Sequence, residues 1–384
     1  QRSQNYQAGF GRLQVIFYFR KIMKVLMLST DENIFIDGSG SQERMKEYGG
    51  LVKELHIVIK SHNPSFNSQK LGNVFVYPAS GYIKVLKIGA KIIARFSNTS
   101  IFQFLITSQD PFELGLIGYL LKKKFSLPLQ LQIHTDFLSP YFGKESNRNK
   151  FRVILGKLLL KKADGIRVVS ERIKNSLIVS GYASKTITVL PIVYDIDRFN
   201  KAAVDIDLHK KYPNHDFIIL MASRLTQEKN IGLAIAAMVE ITRVHPKALL
   251  LIVGSGPEES ELKLLTTNYS LQANIVFEPW ADDLSSYYKT ADLFLLTSNY
   301  EGYGRTVVEA TAADLPVIMT DVGVAIGSVV PVGDKKTLVE RLASLIENSP
   351  EREKTLRDQQ KVINFYVSKE DYLNRIKQSW FQCL

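Results

Sequence analysis

The sequence predicts an α/β protein built as two parallel-sheet domains, and three observations carry that reading. Its 384 residues suffice for two cores, and a hydrophobic content of 45% fits a soluble globular chain. Short apolar runs alternate with helical stretches through the first half and again through the second, which is the spacing of βα units. Charge divides the chain in the same place: residues 1–200 hold 29 Lys and Arg against 14 Asp and Glu, whereas residues 201–384 hold 20 against 24. A basic half and a mildly acidic half face different partners.

Strands are expected at 25–28, 56–59, 74–77, 102–106, 129–134, 165–169 and 186–190, each an apolar run too short for a helix. The second half repeats the theme at 217–222, 248–253, 275–278, 292–297 and 316–320. Helical stretches follow at 42–48, 82–95 and 151–162, from about Asn230, and at 305–313. The boundary is expected near 195–200, so that residues 23–197 form the first domain and 198–365 the second. Residues 366–384 close the chain as a helix, because Ser368 and Asp371 stand at capping-box spacing. Met23 runs directly into the first strand, so residues 1–22 are read as an extension outside the fold.

The most telling segment runs from Ser298 to Glu309. After the strand at 292–297, Gly302 and Gly304 allow a tight turn around Tyr303, and Arg305 and Thr306 open a helix. Ligands gather beyond the carboxyl ends of strands in open α/β sheets, and a helix start offers N–H groups and a positive dipole end to a phosphate. Glu309, about a turn into that helix, is placed to accept two hydrogen bonds from ribose hydroxyls, and Glu301 to face a sugar. A solvated helix start with favourably placed acids explains the segment equally well.

Arg224 and Lys229 follow the strand at 217–222. Arginine clamps phosphate oxygens bidentately, and lysine adds a mobile point charge as negative charge grows on a leaving group. Combined with Glu301 and Glu309 in the same domain, they favour a nucleotide diphosphate over ordinary solvated charges. Gly254 and Gly256 permit close approach of a ligand or form a plain turn. Trp280 either receives a flat base or serves as packing. Gly38, Ser39 and Gly40 lie between the first strand and its helix, where the backbone can approach a phosphate or sugar. His134 stands at the lip of the first sheet, to hydrogen-bond a donor sugar or to serve structurally. Asp110, before Pro111, reads as a helix cap.

The stretch 82–95 spaces Lys84, Lys87, Lys91 and Arg95 on one helical face and Ile83, Leu86, Ala90 and Ile93 on another. Such a helix either lies on an anionic bilayer or turns its apolar side to the core, and 151–162 offers a second example. Nucleic acid is disfavoured, since no interleaved aromatic platform accompanies the basic half. No apolar run reaches the ~18 to 20 residues that span a bilayer. Cys383 is the single cysteine, which leaves no disulfide framework and points to the cytoplasm. The six histidines are scattered, with no metal-ligand spacing, so no metal is expected.

Together these residues resemble the retaining glycosyltransferases of family 4, which have the GT-B fold. The family signature is a Glu, seven residues and a second Glu, as Glu301 and Glu309 stand here. The likeness runs over 23–380 and includes Arg224 with Lys229 and the segments 168–171, 191–199 and 315–318. It implies two Rossmann-like domains facing a cleft, with the terminal helix packing back on the N-terminal domain. It implies a nucleotide-sugar donor held by the second domain through Glu309 on the ribose, Glu301 on the sugar, and Arg224 and Lys229 on the diphosphate. Gly302, Tyr303, Gly304, Arg305, Thr306, Gly254, Gly256 and Trp280 complete the donor side. His134 contacts the sugar from the first domain, where Gly38, Ser39 and Gly40 belong to the acceptor side.

The reaction so implied moves a hexose or related sugar, from UDP ahead of GDP, to a hydroxyl of a saccharide or lipid-linked acceptor. Configuration is retained by a front-face route without metal or cofactor, in polysaccharide or glycan biosynthesis at the inner face of the cell membrane. Three places depart from the family pattern. Gly38-Ser39-Gly40 replaces an adjacent glycine pair, Ala313-Asp314 stands where a glycine often precedes Leu-Pro, and a common Glu is absent around 323–325. They bear on the acceptor loop and the grip on the base, and leave the phosphate chemistry intact. A GT-B nucleotide-sugar epimerase and a non-catalytic sugar-binding scaffold are the rival readings. A dinucleotide oxidoreductase is disfavoured, because residues 29–33 lack the Gly-x-Gly-x-x-Gly pattern after the first strand.

Overall fold

The computed structural model describes residues 23–96, 103–183, 186–192, 199, 201–281, 283–363 and 368–384. The extension 1–22 and, apart from Phe199, the expected boundary stretch 195–200 lie outside the described residues. Two compact units form: the described residues within 23–134, 146–190 and 368–384 make one, and those within 135–145 and 191–363 the other.

The chain opens with β1 (Met23–Ser29), α1 (Gly40–Gly49), β2 (Glu54–Lys60), β3 (Gln69–Leu71), β4 (Val74–Ala79) and α2 (Tyr82–Ala94). It continues with β5 (Gln103–Ser108), α3 (Glu113–Phe125), β6 (Leu129–Ile133), α4 (Asn147–Leu160), β7 (Gly165–Val168), α5 (Glu171–Leu177) and β8 (Thr186–Val189). The second unit brings α6 (Leu208–Lys211), β9 (Phe217–Ala222), α7 (Ile231–Val244), β10 (Ala248–Val253), α8 (Glu259–Asn268), β11 (Ile275–Glu278) and α9 (Ser285–Thr290). β12 (Leu293–Leu296), α10 (Arg305–Ala312), β13 (Val317–Thr320), β14 (Ser328–Val330), α11 (Lys335–Glu347) and α12 (Ser349–Ile363) follow, and α13 (Lys369–Phe381) ends the chain.

In the first unit the strand order is β3-β4-β2-β1-β5-β6-β7-β8. Every neighbour pair is parallel except β3 with β4. All seven residues of β1 are buried, the signature of a parallel strand covered on both faces. The second unit has an all-parallel sheet in the order β11-β10-β9-β12-β13-β14. Its order reverses at β9, which pairs with β10 on one side and β12 on the other. Loops leaving β9 and β12 therefore diverge at the switch point where such sheets hold ligands.

Two strands escape the sequence pattern. β3 is three residues long, polar at Gln69 and Lys70 and antiparallel at the sheet edge, and β14 is equally short, with Val329 and Val330 as its whole apolar content. The core face of α2 also differs from the one expected. Val85, Gly89, Ile92 and Ile93 are buried, whereas Ile83 is 72% exposed and Leu86 and Ala90 are only half-buried. Asp110 does not cap α3 as its N-cap; that position is Phe112, whose backbone N–H donates to Asp110 Oδ1 at 2.7 Å. Residues 135–145, placed in the first half by the sequence reading, pack with the second unit, where Tyr300 Oη donates to Glu145 Oε1 at 2.7 Å.

α13 belongs to the first unit. Ser368 caps it by accepting the N–H of Asp371 at 3.2 Å. Trp380 is fully buried and meets Tyr48 of α1 edge-on at 6.1 Å between ring centroids. Arg167 of β7 donates to Tyr372 Oη at 2.9 Å, and Tyr372 Oη lies 3.0 Å from Tyr48 Oη. Burial raises the Tyr48 hydroxyl well above its ordinary range, so this link stays protonated.

Burial also raises the Asp110 carboxyl to about 6, against the Phe112 N–H bond that favours its charged form. A carboxyl whose folded pKa exceeds its unfolded value takes up a proton on folding. Its favourable contribution is full below about pH 4 and is lost as pH rises through the folded value. Asp110→Asn keeps an oxygen for Phe112 N–H, so urea unfolding is expected to find it more stable than wild type near pH ~8 and no more stable near pH ~4. A variant less stable at both would contradict this.

Candidate active site

The carboxyl ends of β9 and β12 carry the chemistry. Lys229 Nζ donates to Glu301 Oε1 at 2.5 Å, and the two side chains retain only 14% and 13% of their exposure. Ser298 Oγ donates to the same oxygen at 2.8 Å. Arg224 is paired with Glu228 at 2.6 Å, but with 67% of its side chain exposed it can swing toward a ligand. The sequence places both cations in the β9 loop and Glu301 in the β12 loop; the fold pairs Lys229 with Glu301 across the loops and Arg224 with Glu228 within one.

Backbone and side-chain bonds lock the two loops together. Asn299 N–H donates to Glu228 O at 2.8 Å, and Asn230 Nδ2 donates to Asn299 Oδ1 at 3.1 Å. Thr297 Oγ1 donates to Lys229 O at 3.1 Å, and Thr320 Oγ1, at the end of β13, donates to Ser298 O at 2.6 Å. The loop after β10 joins them: Leu225 N–H donates to Ser255 O at 2.9 Å. A Cβ on Gly254 would stand 1.9 Å from Ser223 O, and one on Gly256 2.3 Å from Leu225 O. These glycines therefore serve the meeting of two backbones, not a plain turn.

Gly304 precedes α10 with φ of 95°, a left-handed conformation suited to glycine, and provides no side-chain cap. The first turn of a helix has no intrahelical carbonyl for its N–H groups, and its dipole favours an anion. Gly302 and Tyr303 are buried beneath this start, Thr306 is half-buried and Arg305 exposed. Glu309, five per cent exposed, accepts from Arg305 Nε at 2.5 Å on one oxygen and from Tyr288 Oη at 3.1 Å on the other. The Arg305 side chain is 68% exposed and covers the carboxylate from the solvent side.

Trp280 is 56% exposed beyond β11, which disfavours its reading as core packing. In the first unit, Ser39 is the N-cap of α1, accepting from Gln42 N–H at 3.1 Å and donating to Asn33 O at 2.5 Å. Gly38 and Gly40 have open space where a Cβ would stand. His134 is exposed after β6, with Nε2 3.2 Å from Gln132 Oε1. Gln132 Oε1 also accepts from Arg167 Nη1 at 3.2 Å, so the shared oxygen calls for an N–H on His134 Nε2 and leaves Nδ1 as an acceptor. Crowding of the ring by protein atoms, followed by the positive Arg167 and Arg44, lowers the His134 pKa below its ordinary value. Among the described residues, no cluster of His, Cys, Asp and Glu is arranged to hold a metal ion.

Sequence reasoning missed Ser298, Tyr288, Glu228 and the Glu145–Tyr300 brace. Glu228 shows a readable i,i+4 relation to Arg224, whereas the Tyr288–Glu309 and Tyr300–Glu145 pairs carry no local signal. Gly254→Ala is expected to lower the urea-unfolding stability of the second unit by about 1 to 3 kcal/mol through forced separation of two backbones. An unchanged midpoint would contradict the interlock.

Residues 206–362 match the family described as glycosyl transferases group 1. The alpha-monoglucosyldiacylglycerol synthase of Streptococcus pneumoniae is 26% identical over 227 residues, covering 56% of this chain and 51% of that protein. The capsular polysaccharide biosynthesis glycosyltransferase CapM of Staphylococcus aureus is 30% identical over 219 residues, covering 52% and 57%. This chain thus spans little more than half the length of these relatives. The solved structure of HepE from Anabaena in complex with UDP superimposes with a TM-score of 0.71 at 18% identity, covering 93% of this chain and 99% of that one. The chain therefore has the GT-B fold, and its segment 206–362, which holds Arg224, Lys229, Glu301 and Glu309, carries the sequence pattern of glycosyl transferases group 1.

Proposed function

We propose that this protein is a retaining glycosyltransferase of the family 4 type. It moves a sugar from a nucleoside-diphosphate donor, UDP in preference to GDP, to a hydroxyl of a saccharide or lipid-linked acceptor. The observation that carries the reading is the Lys229–Glu301 pair, held across the switch point of the second sheet beside the uncapped start of α10. Relatives named for glucolipid and capsular polysaccharide synthesis support a role in glycan assembly, and a structural neighbour solved with UDP supports the choice of nucleotide.

In this reading the donor diphosphate takes Lys229 from Glu301 and draws in Arg224, while α10 faces its oxygens. Glu301 is then released to hold the sugar. Arg305 swings away from Glu309, whose carboxylate accepts the ribose hydroxyls and keeps its bond from Tyr288. The bond between the anomeric carbon and the diphosphate breaks, and its electrons pass to the phosphate oxygen. That oxygen takes the acceptor's proton as the acceptor oxygen bonds to the same face of the anomeric carbon. Cations fixed where charge develops stabilise the transition state most. The reaction needs no metal or cofactor in this account, and it runs in the cytoplasm at the inner face of the membrane.

Transfer from labelled UDP- and GDP-sugars, with product mass spectrometry, tests the proposal. Lys229→Ala is expected to lower kcat about a hundredfold, and Arg224→Ala also to act mainly on kcat. Glu309→Gln is expected to raise donor KM about tenfold with a smaller change in kcat. Wild-type kinetics in Lys229→Ala, or release of an epimerised sugar without acceptor, would overturn it.

A further inference from the structure

α2, α3 and α4 lie side by side in the first unit, α3 packing against both neighbours. Each has a face turned to water that a folded core does not explain. On α4, Phe151, Ile154 and Leu158 are 62%, 60% and 57% exposed, although their i, i+3, i+7 spacing makes one apolar stripe. On the neighbouring helices, Leu116 and Leu120 of α3 and Ile83 of α2 are exposed as well. Beyond α4, the turn at 178–182 is tied down by Tyr182 Oη donating to Lys157 O at 2.9 Å, and it presents Val179 at 88% exposure. Scattered exposed leucines need no explanation, but exposed apolar side chains on three helices that pack side by side mark an interaction surface.

The charges around the stripe say what covers it. The three helices hold ten Lys and Arg, three in α2, three in α3 and four in α4, against Glu113 as the one acid. Glu113 is already occupied by Arg148 and Arg152, at 2.9 and 3.0 Å. Lys150 and Lys157 are exposed on the same side of α4 as the stripe, and the exposed Lys161 and Lys162 follow its end. Apolar side chains ringed by long lysines match the boundary of an anionic bilayer, where methylenes and rings enter the acyl region and ammonium groups meet phosphates. No helix among the described residues is long and apolar enough to cross a membrane, so such contact would be peripheral.

We propose that the exposed face of α4, with its flanks on α3 and α2, is the surface by which this protein docks on an anionic lipid bilayer, Phe151, Ile154 and Leu158 inserting below the headgroups. This deepens the membrane part of the function proposed above and rests on no step of the donor chemistry.

Co-sedimentation of the full chain with vesicles tests it, using phosphatidylcholine alone and an equal mixture with phosphatidylglycerol. Binding is expected only to the mixture and is weakened but not abolished by high salt. Phe151→Ser with Leu158→Ser is expected to lower partitioning about a hundredfold, and Lys150→Glu with Lys157→Glu by at least tenfold. These side chains are exposed, so circular dichroism of the variants is expected to match wild type. Phe151→Trp reports insertion by a blue shift with the mixture. Equal sedimentation of wild type and variants, or no blue shift, would overturn the proposal. So would loss of a concentration-dependent dimer in the serine variant, since that assigns the face to a second copy. A UDP thermal shift on the same samples separates the two ideas: vesicle binding without a UDP response supports the docking surface and counts against the donor site alone.

Discussion

Everything proposed for the second unit depends on one ion pair that is nearly out of water. Lys229 and Glu301 come from loops 72 residues apart in sequence, and their contact is short and largely shielded from solvent. A shielded pair contributes little net stability, because desolvation offsets most of the attraction; what it contributes is a cation held in place. Removing its anionic partner would leave a costly uncompensated charge, whereas exchanging that partner for another anion would not. A diphosphate arriving at the strand ends meets such an exchange.

The interlocked loops explain how the cation stays where it is. Loops from β9, β10, β12 and β13 are joined by backbone bonds, by the hydroxyls of Thr297 and Thr320, and by glycines whose missing side chains let backbones touch. A site held by rigid neighbours loses little order when a ligand binds, and positions charge more accurately than one on a free loop. Arg224 and Arg305 are the exceptions, exposed and each bonded to a carboxylate of its own segment. They are the groups suited to move, and the half-buried Lys229 and the buried Glu309 are those suited to stay.

The sheets were legible because parallel strands covered on both faces must be continuously apolar, so β1, β9 and β10 stand out from their surroundings. β3 was not, because a three-residue edge strand containing Gln69 and Lys70 has no apolar face to display. α2 shows a different limit. Its sequence is apolar on two sides, and only the position of the sheet selects Val85 and Ile92 over Ile83 for burial. In the candidate site, the charged residues were readable from their places after strands and before helices. Their partners were not: Tyr288 reaches Glu309 from another helix, and Lys229 meets Glu301 from another loop, relations set by topology and not by spacing.

The most direct measurement is a crystal structure of the full chain with UDP. The account predicts the pyrophosphate beyond β9 and β12, with an oxygen within hydrogen-bond reach of Lys229 Nζ, the α10 backbone amides facing it, and the ribose on Glu309. UDP bound elsewhere, or in that place with Lys229 still closed on Glu301, would contradict it.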